Sequence, residues 1–398
     1  MSERFRFAYE PGVIRAGRGC IGDLEAELAS QGFERALVVC GSTVGSTPTV
    51  IDPVTEGLGE RLAGVFAETT PEKRLATAAA AVESYRTHDA DVLVGLGGGS
   101  SLDVAKVAAL LAGDERPPEA VASELRARGT ITVPEDPAPV VAVPTTLAGA
   151  DLSQGAGVTT DPISGLVESS ASGGISDPKL MPRAVLADPE LVATTPKSIL
   201  AASAMNGFDK GIETLYAANA TPITDATAGR GLELLADGLD VFAADAPLDA
   251  AAREPVVEGL LLVQYGSWRP DGVTMSLIHA FGHGLTRTYP VQQGAAHAVV
   301  APHVLEYLFE HVDARRHLLA ESLGVGDAAD PAAAVVKRVI EVRDALGLPG
   351  RLREVEGPDP EEFERVARAV LADSFAANAP PGLDPTVEEI AGVLENAY

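Results

Sequence analysis

Three short runs of the sequence are apolar at nearly every position, and each closes in a turn. Arg35–Ser42 reads RALVVCGS, Ala90–Ser100 reads ADVLVGLGGGS and Ala138–Thr146 reads APVVAVPTT. The stretches between them, IGDLEAELASQG, RLATAAAAVESYRTHD and SLDVAKVAALLAG, have helical spacing. A strand without polar alternation has no face for water. Such strands, separated by helices, predict a parallel sheet covered on both faces. Ala184–Val192, AVLADPELV, reads as a last strand running into Asp-Pro. Beyond it the periodicity is helical nearly everywhere, as in ATAGRGLELLADGLDVFAAD and PAAAVVKRVIEVRDALG. The pattern predicts an α/β domain over residues 1–190 and an all-α domain over 191–398, with the boundary within 187–195.

At 398 residues and 46% hydrophobic content the chain can bury two cores. Its net charge of −27 repels phosphate backbones and anionic lipid, so nucleic-acid and membrane-surface partners are not expected. No run of eighteen apolar residues occurs, and MSERFRFAYEPG lacks the apolar segment of a secretory leader. Cys20 and Cys40 are too few for a disulfide framework, so a reduced, cytoplasmic setting is expected. Six lysines stand against twenty-four arginines. With the acidic excess, this resembles halophilic cytoplasmic proteins, in which salt screens self-repulsion.

Gly95–Lys106, GLGGGSSLDVAK, follows a predicted strand and opens a predicted helix. Glycines let a ligand approach the backbone, and the positive helix end favours phosphate. Ser100 and Ser101 can cap the helix or donate to phosphate oxygens. The spacing is not the GxGxxG fingerprint. A second polar turn, Pro144–Gly157, belongs at the same carboxyl edge of the sheet, where open α/β sheets bind ligands.

Ser203–Ala217, SAMNGFDKGIETLYA, reads as an amphipathic helix. Met205, Phe208, Ile212 and Leu215 make its apolar stripe, and Asn206, Lys210 and Glu213 a neighbouring polar one. Asp209 and Glu213 offer Lys210 an ion pair.

These features together resemble the iron-containing alcohol dehydrogenase superfamily, closest in look to its maleylacetate reductase branch. GGGSSLDVAK is similar to the family's GGGSxxDxAK loop, VPTTLAGAD to its PTTxxxGSE-type turn, and His279–Tyr307 to its HxxxH helix and following loop. Residues 5–28 resemble its N-terminal hairpin and first helix. The resemblance implies a Rossmann-like dinucleotide-binding domain followed by a helical one, the dehydroquinate synthase-like fold. It implies NAD(H) or NADP(H) held by Gly97, Gly98, Gly99, Ser100 and Asp103 at the pyrophosphate and by Thr145, Thr146 and Leu147 beside the nicotinamide. Gly41 and Ser42 also belong to the cofactor site. No aspartate follows the first strand there to repel a 2′-phosphate, so both cofactors fit. Asp151 stands where the family has glutamate, and GLVESSASGG lacks the lysine that meets the ribose.

Most members hold a divalent metal with one Asp and three His. Here those positions read Asn206, Lys210, His279 and Gln293. An amide and an ammonium are poor ligands, so no tightly bound metal is expected. Lys210 is the candidate replacement for the metal's positive charge, polarising a carbonyl or anchoring a carboxylate. Counting Asn206, Lys210, His279 and Gln293 alone gives one net positive charge. His283 or His279 is the candidate proton donor. Asn206, Gln293 and Arg287 are candidate substrate contacts. The expected activity is metal-independent, NAD(P)-dependent interconversion of a small oxo acid, of maleylacetate type, and its alcohol, by a homodimer or larger oligomer. The alternatives are an iron- or zinc-dependent alcohol dehydrogenase and a dehydroquinate synthase-like lyase. The lyase would need a metal and basic residues that the helical half lacks.

Overall fold

The computed structural model describes residues 4–240 and 250–398. They divide into two compact units, one of Tyr9–Thr195 and one of residues 4–8 with Pro196–Tyr398.

The first unit contains β1 (Val13–Ala16), β2 (Ala36–Gly41), β3 (Leu62–Thr69), β4 (Val92–Gly97), β5 (Val140–Pro144), β6 (Gly155–Thr160), β7 (Ala171–Ser176) and β8 (Ala184–Ala187). Six of them form one parallel sheet in the order β1-β8-β5-β4-β2-β3. Alternation along the central strands sends side chains to two separate cores. Leu37, Val39 and Leu93 join helical residues such as Leu75, Ala78 and Val104 on one face. Val38, Val92, Val94 and Val141 join Leu24, Leu28 and Val54 on the other. This is why β2, β4 and β5 read as apolar throughout.

Three features depart from the sequence expectation. The N-terminal hairpin is not found among the described residues, because β1 pairs in parallel with β8, Val13 opposite Ala184. β3 is an additional edge strand on which only Phe66 and Thr69 are buried. β6 and β7 form a separate antiparallel pair built from GAGVTT and ASGGIS. Strands that are half exposed or rich in glycine carry little hydrophobic periodicity.

Among the described residues the regular structure of the second unit is helical apart from an antiparallel ribbon, Trp268–Arg269 with Gly272–Val273. The predicted helix over residues 226–245 is present as part of Pro222–Leu239, and its last residues lie outside the described ones. No helix among the described residues is long and apolar enough to cross a membrane.

Candidate active site

In the first unit the register sets Gly97 of β4 beside Pro144 of β5, with β2 on the other side of β4. Their carboxyl ends therefore bring together Gly41 and Ser42, Gly97–Ser100, and Thr145–Leu147. The helix α1 (Gly99–Ala112) starts directly after β4, and Gly98 is its N-cap. The expected serine cap is absent: Ser101 shares a hydrogen bond of 2.7 Å with Thr69 on β3. A glycine cap leaves the first-turn N–H groups without a side-chain acceptor from that residue, which suits an anion. Gly97 has φ +132°, and a Cβ there would lie 3.1 Å from Ser101 Oγ. A Cβ on Gly98 would lie 3.1 Å from Thr146 Cγ2. Side chains would fill this cradle, so the glycines fit close approach of a pyrophosphate.

Two charged residues brace the cradle. Asp103 Oδ2 accepts from Lys73 Nζ at 2.7 Å and from the Gly157 N–H at 3.0 Å. Lys106 is fully buried, and its ammonium donates to the carbonyls of Ala150, Ser153 and Gly155 at 2.8, 2.5 and 3.1 Å. Burial pushes its pKa down to about 8, against the attraction of Asp103 and Asp151.

In the second unit, α2 (Lys197–Tyr216) carries Asn206 and Lys210, two of the residues that the resemblance sets at metal positions. It is not amphipathic in place. From Leu200 onward every residue but Asn206 is buried, including Asp209, Lys210 and Glu213. Neighbouring helices supply the polar partners. His279 lies on α3 (Leu277–Thr286) and His297 on α4 (Gln293–His311). Glu213 bonds His279 twice, accepting the backbone N–H at 3.0 Å and facing the ring Nδ1. Tyr216 donates its hydroxyl to the same carboxylate at 3.3 Å. His297 Nδ1 lies 3.2 Å from Asp209 Oδ2, an ion-pair distance without hydrogen-bond alignment. The two imidazoles meet edge to face, 4.5 Å between centroids.

Burial dominates the electrostatics here. It lifts the Glu213 carboxyl to about 7, with the bond from the His279 N–H pulling the other way. It also raises the Asp209 carboxyl well above its ordinary value, and the Glu213 charge adds to the effect. Burial also keeps His279 well below its ordinary value, helped by charge on His297 and Lys210. His297 falls to about 3, again chiefly from burial. Asp209 and Glu213 correct the count of one net positive charge: that count holds only when both carboxyls are protonated. The described pairs of Asp209 and Glu213 are with His297 and His279.

The four residues that the resemblance sets at the family's metal positions, three of them altered, do not fit a tightly held divalent ion. His279 keeps a ligand's posture, with Nδ1 toward a carboxylate and a buried Nε2 that has no hydrogen-bond partner. The rest are an amide, an ammonium and another amide, and one imidazole does not hold a metal. Gln293 is the first residue of α4 and only partly buried. No group of three His, Cys, Asp or Glu side chains among the described residues is arranged to bind one.

His283, one turn beyond His279, is differently placed. Its Nδ1 lies 2.9 Å from Asp373 Oδ2, and its ring lies against Phe375, 5.1 Å between centroids. Arg287, a predicted substrate contact, pairs with the same Asp373 oxygen at 2.9 Å. Sequence reasoning missed Asp373, ninety positions from its partner and without a spacing that points to it. It gave no role to His297, which lies within the His279–Tyr307 segment. Its position four residues after Gln293, on the same helix face, was the available signal.

The sequence matches the iron-containing alcohol dehydrogenase family over residues 11–189 and that family's C-terminal domain over residues 200–398. The chain belongs to this family. It is 28% identical to a maleylacetate reductase of Sphingobium indicum over 393 residues, covering 96% of this chain and 95% of that one. It is 26% identical to an NAD-dependent methanol dehydrogenase of Bacillus methanolicus, covering 96% and 97%. The crystal structure of maleylacetate reductase from Agrobacterium tumefaciens superposes with a TM-score of 0.79 at 25% identity, covering 100% of this chain and 99% of that one.

Proposed function

We propose that this family member is a metal-independent oxidoreductase that reduces small oxo acids of the maleylacetate type to hydroxy acids. The observation that carries the metal-independent reading is the composition of the four former metal positions, where only His279 remains a ligand type. Several maleylacetate reductases among the relatives support the substrate class. The NAD-dependent methanol dehydrogenase supports a nicotinamide cofactor.

The first unit is assigned to NAD(H) or NADP(H). Gly97–Ser100 and the first-turn N–H groups of α1 hold the pyrophosphate. Thr145–Leu147, Gly41 and Ser42 line the same edge, and Asp103 acts by bracing the loop. The nicotinamide, when bound, supplies the hydride. In the second unit Lys210 supplies positive charge that favours the developing alkoxide or holds a substrate carboxylate. Asn206 and Gln293 add amide donors. His283 gives the Nε2 proton to the carbonyl oxygen as carbon receives hydride, and regains a proton from solvent. His279, tied to Glu213, orients the cluster and is the secondary candidate for the donor.

A panel of oxo acids, aldehydes and ketones followed by NADH and NADPH absorbance, at low and high salt, tests the reading. Consumption of reduced cofactor with short oxo acids is expected. Reduction of simple aldehydes with no oxo acid turned over would overturn the substrate class. No consumption with any carbonyl would overturn the assignment as a reductase.

A further inference from the structure

We infer that Asp373 is the positioning residue for His283, fixing the ring as the tautomer that carries its proton on Nδ1 and presents Nε2 for proton transfer. The inference rests on the proton-donor role given to His283 above.

His283 keeps 27% of its side chain exposed, whereas Asp373 keeps 1%. The pair therefore joins a reachable ring to a fixed carboxylate. Asp373 is fixed by its own bonds. Its Oδ1 accepts the Phe375 N–H at 3.0 Å, and its Oδ2 takes His283 Nδ1 and Arg287, each at 2.9 Å. Burial pushes the Asp373 carboxyl up, but the His283 bond and charge, the Phe375 N–H and Arg287 outweigh it and hold the group below its ordinary value. Arg287 Nη2 also lies 3.4 Å from His283 Nδ1, but the shorter contact, 2.9 Å, is to the carboxylate; an ionised carboxylate only accepts, so the nitrogen bonded to it carries the proton. Phe375 covers the ring, 33° from parallel, and restrains rotation about the Cβ–Cγ bond. Nε2 is then the nitrogen left for substrate. Arg287 has a part in this too: by sharing the Asp373 oxygen, it offsets part of the carboxylate's charge.

The arrangement follows the logic by which a buried carboxylate orients a catalytic imidazole. The donating form is the imidazolium: during carbonyl reduction the hydride goes to carbon, the Nε2 proton goes to oxygen, and the ring is left as the neutral Nδ1–H tautomer until Nε2 takes a proton from solvent. His283 then stays bonded to Asp373 through Nδ1–H, so nothing in the grip has to move.

The test combines nitrogen-15 NMR of the histidine rings with a double-mutant cycle. At a pH where the ring is neutral the parent protein should show His283 as the Nδ1–H tautomer, and Asp373→Asn, which keeps an acceptor for the Phe375 N–H, should show a mixture. An unchanged tautomer in Asp373→Asn overturns the inference. In kinetics Asp373→Asn should lower kcat about 10–100-fold with the KM for NAD(P)H unchanged, the size typical of an orienting partner. His283→Ala should lower it more, and adding Asp373→Asn to it should cost nothing further. Losses that multiply would mean that Asp373 acts structurally, and would overturn the inference. The NMR result does not depend on turnover. A parent protein that reduces no carbonyl therefore counts against the reading of function alone.

Discussion

The Nε2 of His297 occupies the space where a side chain on residue 282 would begin. A Cβ built on Gly282 would fall 2.3 Å from that nitrogen. The imidazole of α4 thus lies directly on the backbone of α3, between His279 and His283 in sequence. Any atom added there must push away a ring that is already fully buried.

Gly282→Ala should therefore destabilise the protein by about 1–3 kcal/mol, the usual range for overpacking a core. Thermal melting checks this. In combination with His297→Ala, which removes the obstructing ring, the alanine should cost clearly less than it does alone. Equal costs in both backgrounds would show that the ring and the glycine are not coupled.

The same histidine gives a pH dependence whose sign follows from its depressed pKa. Between about 6.5 and 3 the unfolded chain protonates His297 and the folded chain does not. Its contribution to stability is whole above pH 6.5 and declines as the pH falls toward 3. Glu213, raised from 4.5 to about 7, works in the other direction, losing its contribution as the pH rises through 7. Removing only the first group should isolate its share. His297→Gln should lose roughly 2 kcal/mol less stability than the parent between pH 7 and 5. Parallel melting curves for the two proteins over that range would contradict the assignment.

Lys106 joins one helix to two carbonyls of the loop after β5, those of Ala150 and Ser153, and to that of Gly155 at the start of β6. Lys106→Met keeps much of the volume and leaves those acceptors without their donor. A loss of roughly 3 kcal/mol or more is expected, since each buried orphan costs about 1–3 kcal/mol. Cofactor affinity should fall with it, because the same loop borders the glycine cradle. Titration calorimetry with NADH, beside a melting curve, reads both effects.

Lys210→Met tests the substitution of an ammonium for a metal. It removes the charge and retains the aliphatic stem. Turnover of an oxo acid should fall by roughly 100-fold or more, in the range of losing one preorganised electrostatic donor. NADH binding should be unaffected. Near-normal turnover in this variant would remove Lys210 from the chemistry.

How far the sequence revealed this architecture depended on where each partner lay. β2, β4 and β5 were plain in it because both faces of each strand are buried, and burial leaves an unbroken apolar run. β3 has an exposed edge, and β6 and β7 are largely glycine, serine and threonine, so neither pattern stood out. Asn206 and Lys210 were found because their four-residue spacing matches a family motif. The same helix was read as amphipathic, since a sequence does not show that His279 and His297 will cover its polar side. Lys106 was visible about two turns into its helix, but the carbonyls that fix its role come from a segment more than forty residues away. The Asp373–His283 pair is longer in range still, and only the fold brings it together.

The central claim is that this member of an iron-containing family works without a metal. The direct measurement is metal content by elemental analysis of the purified protein, together with NAD(P)H-linked reduction of an oxo acid before and after prolonged chelation. The account predicts substoichiometric metal and a rate that chelation leaves unchanged. One divalent ion per chain, with activity lost on chelation and restored by iron or zinc, would contradict it.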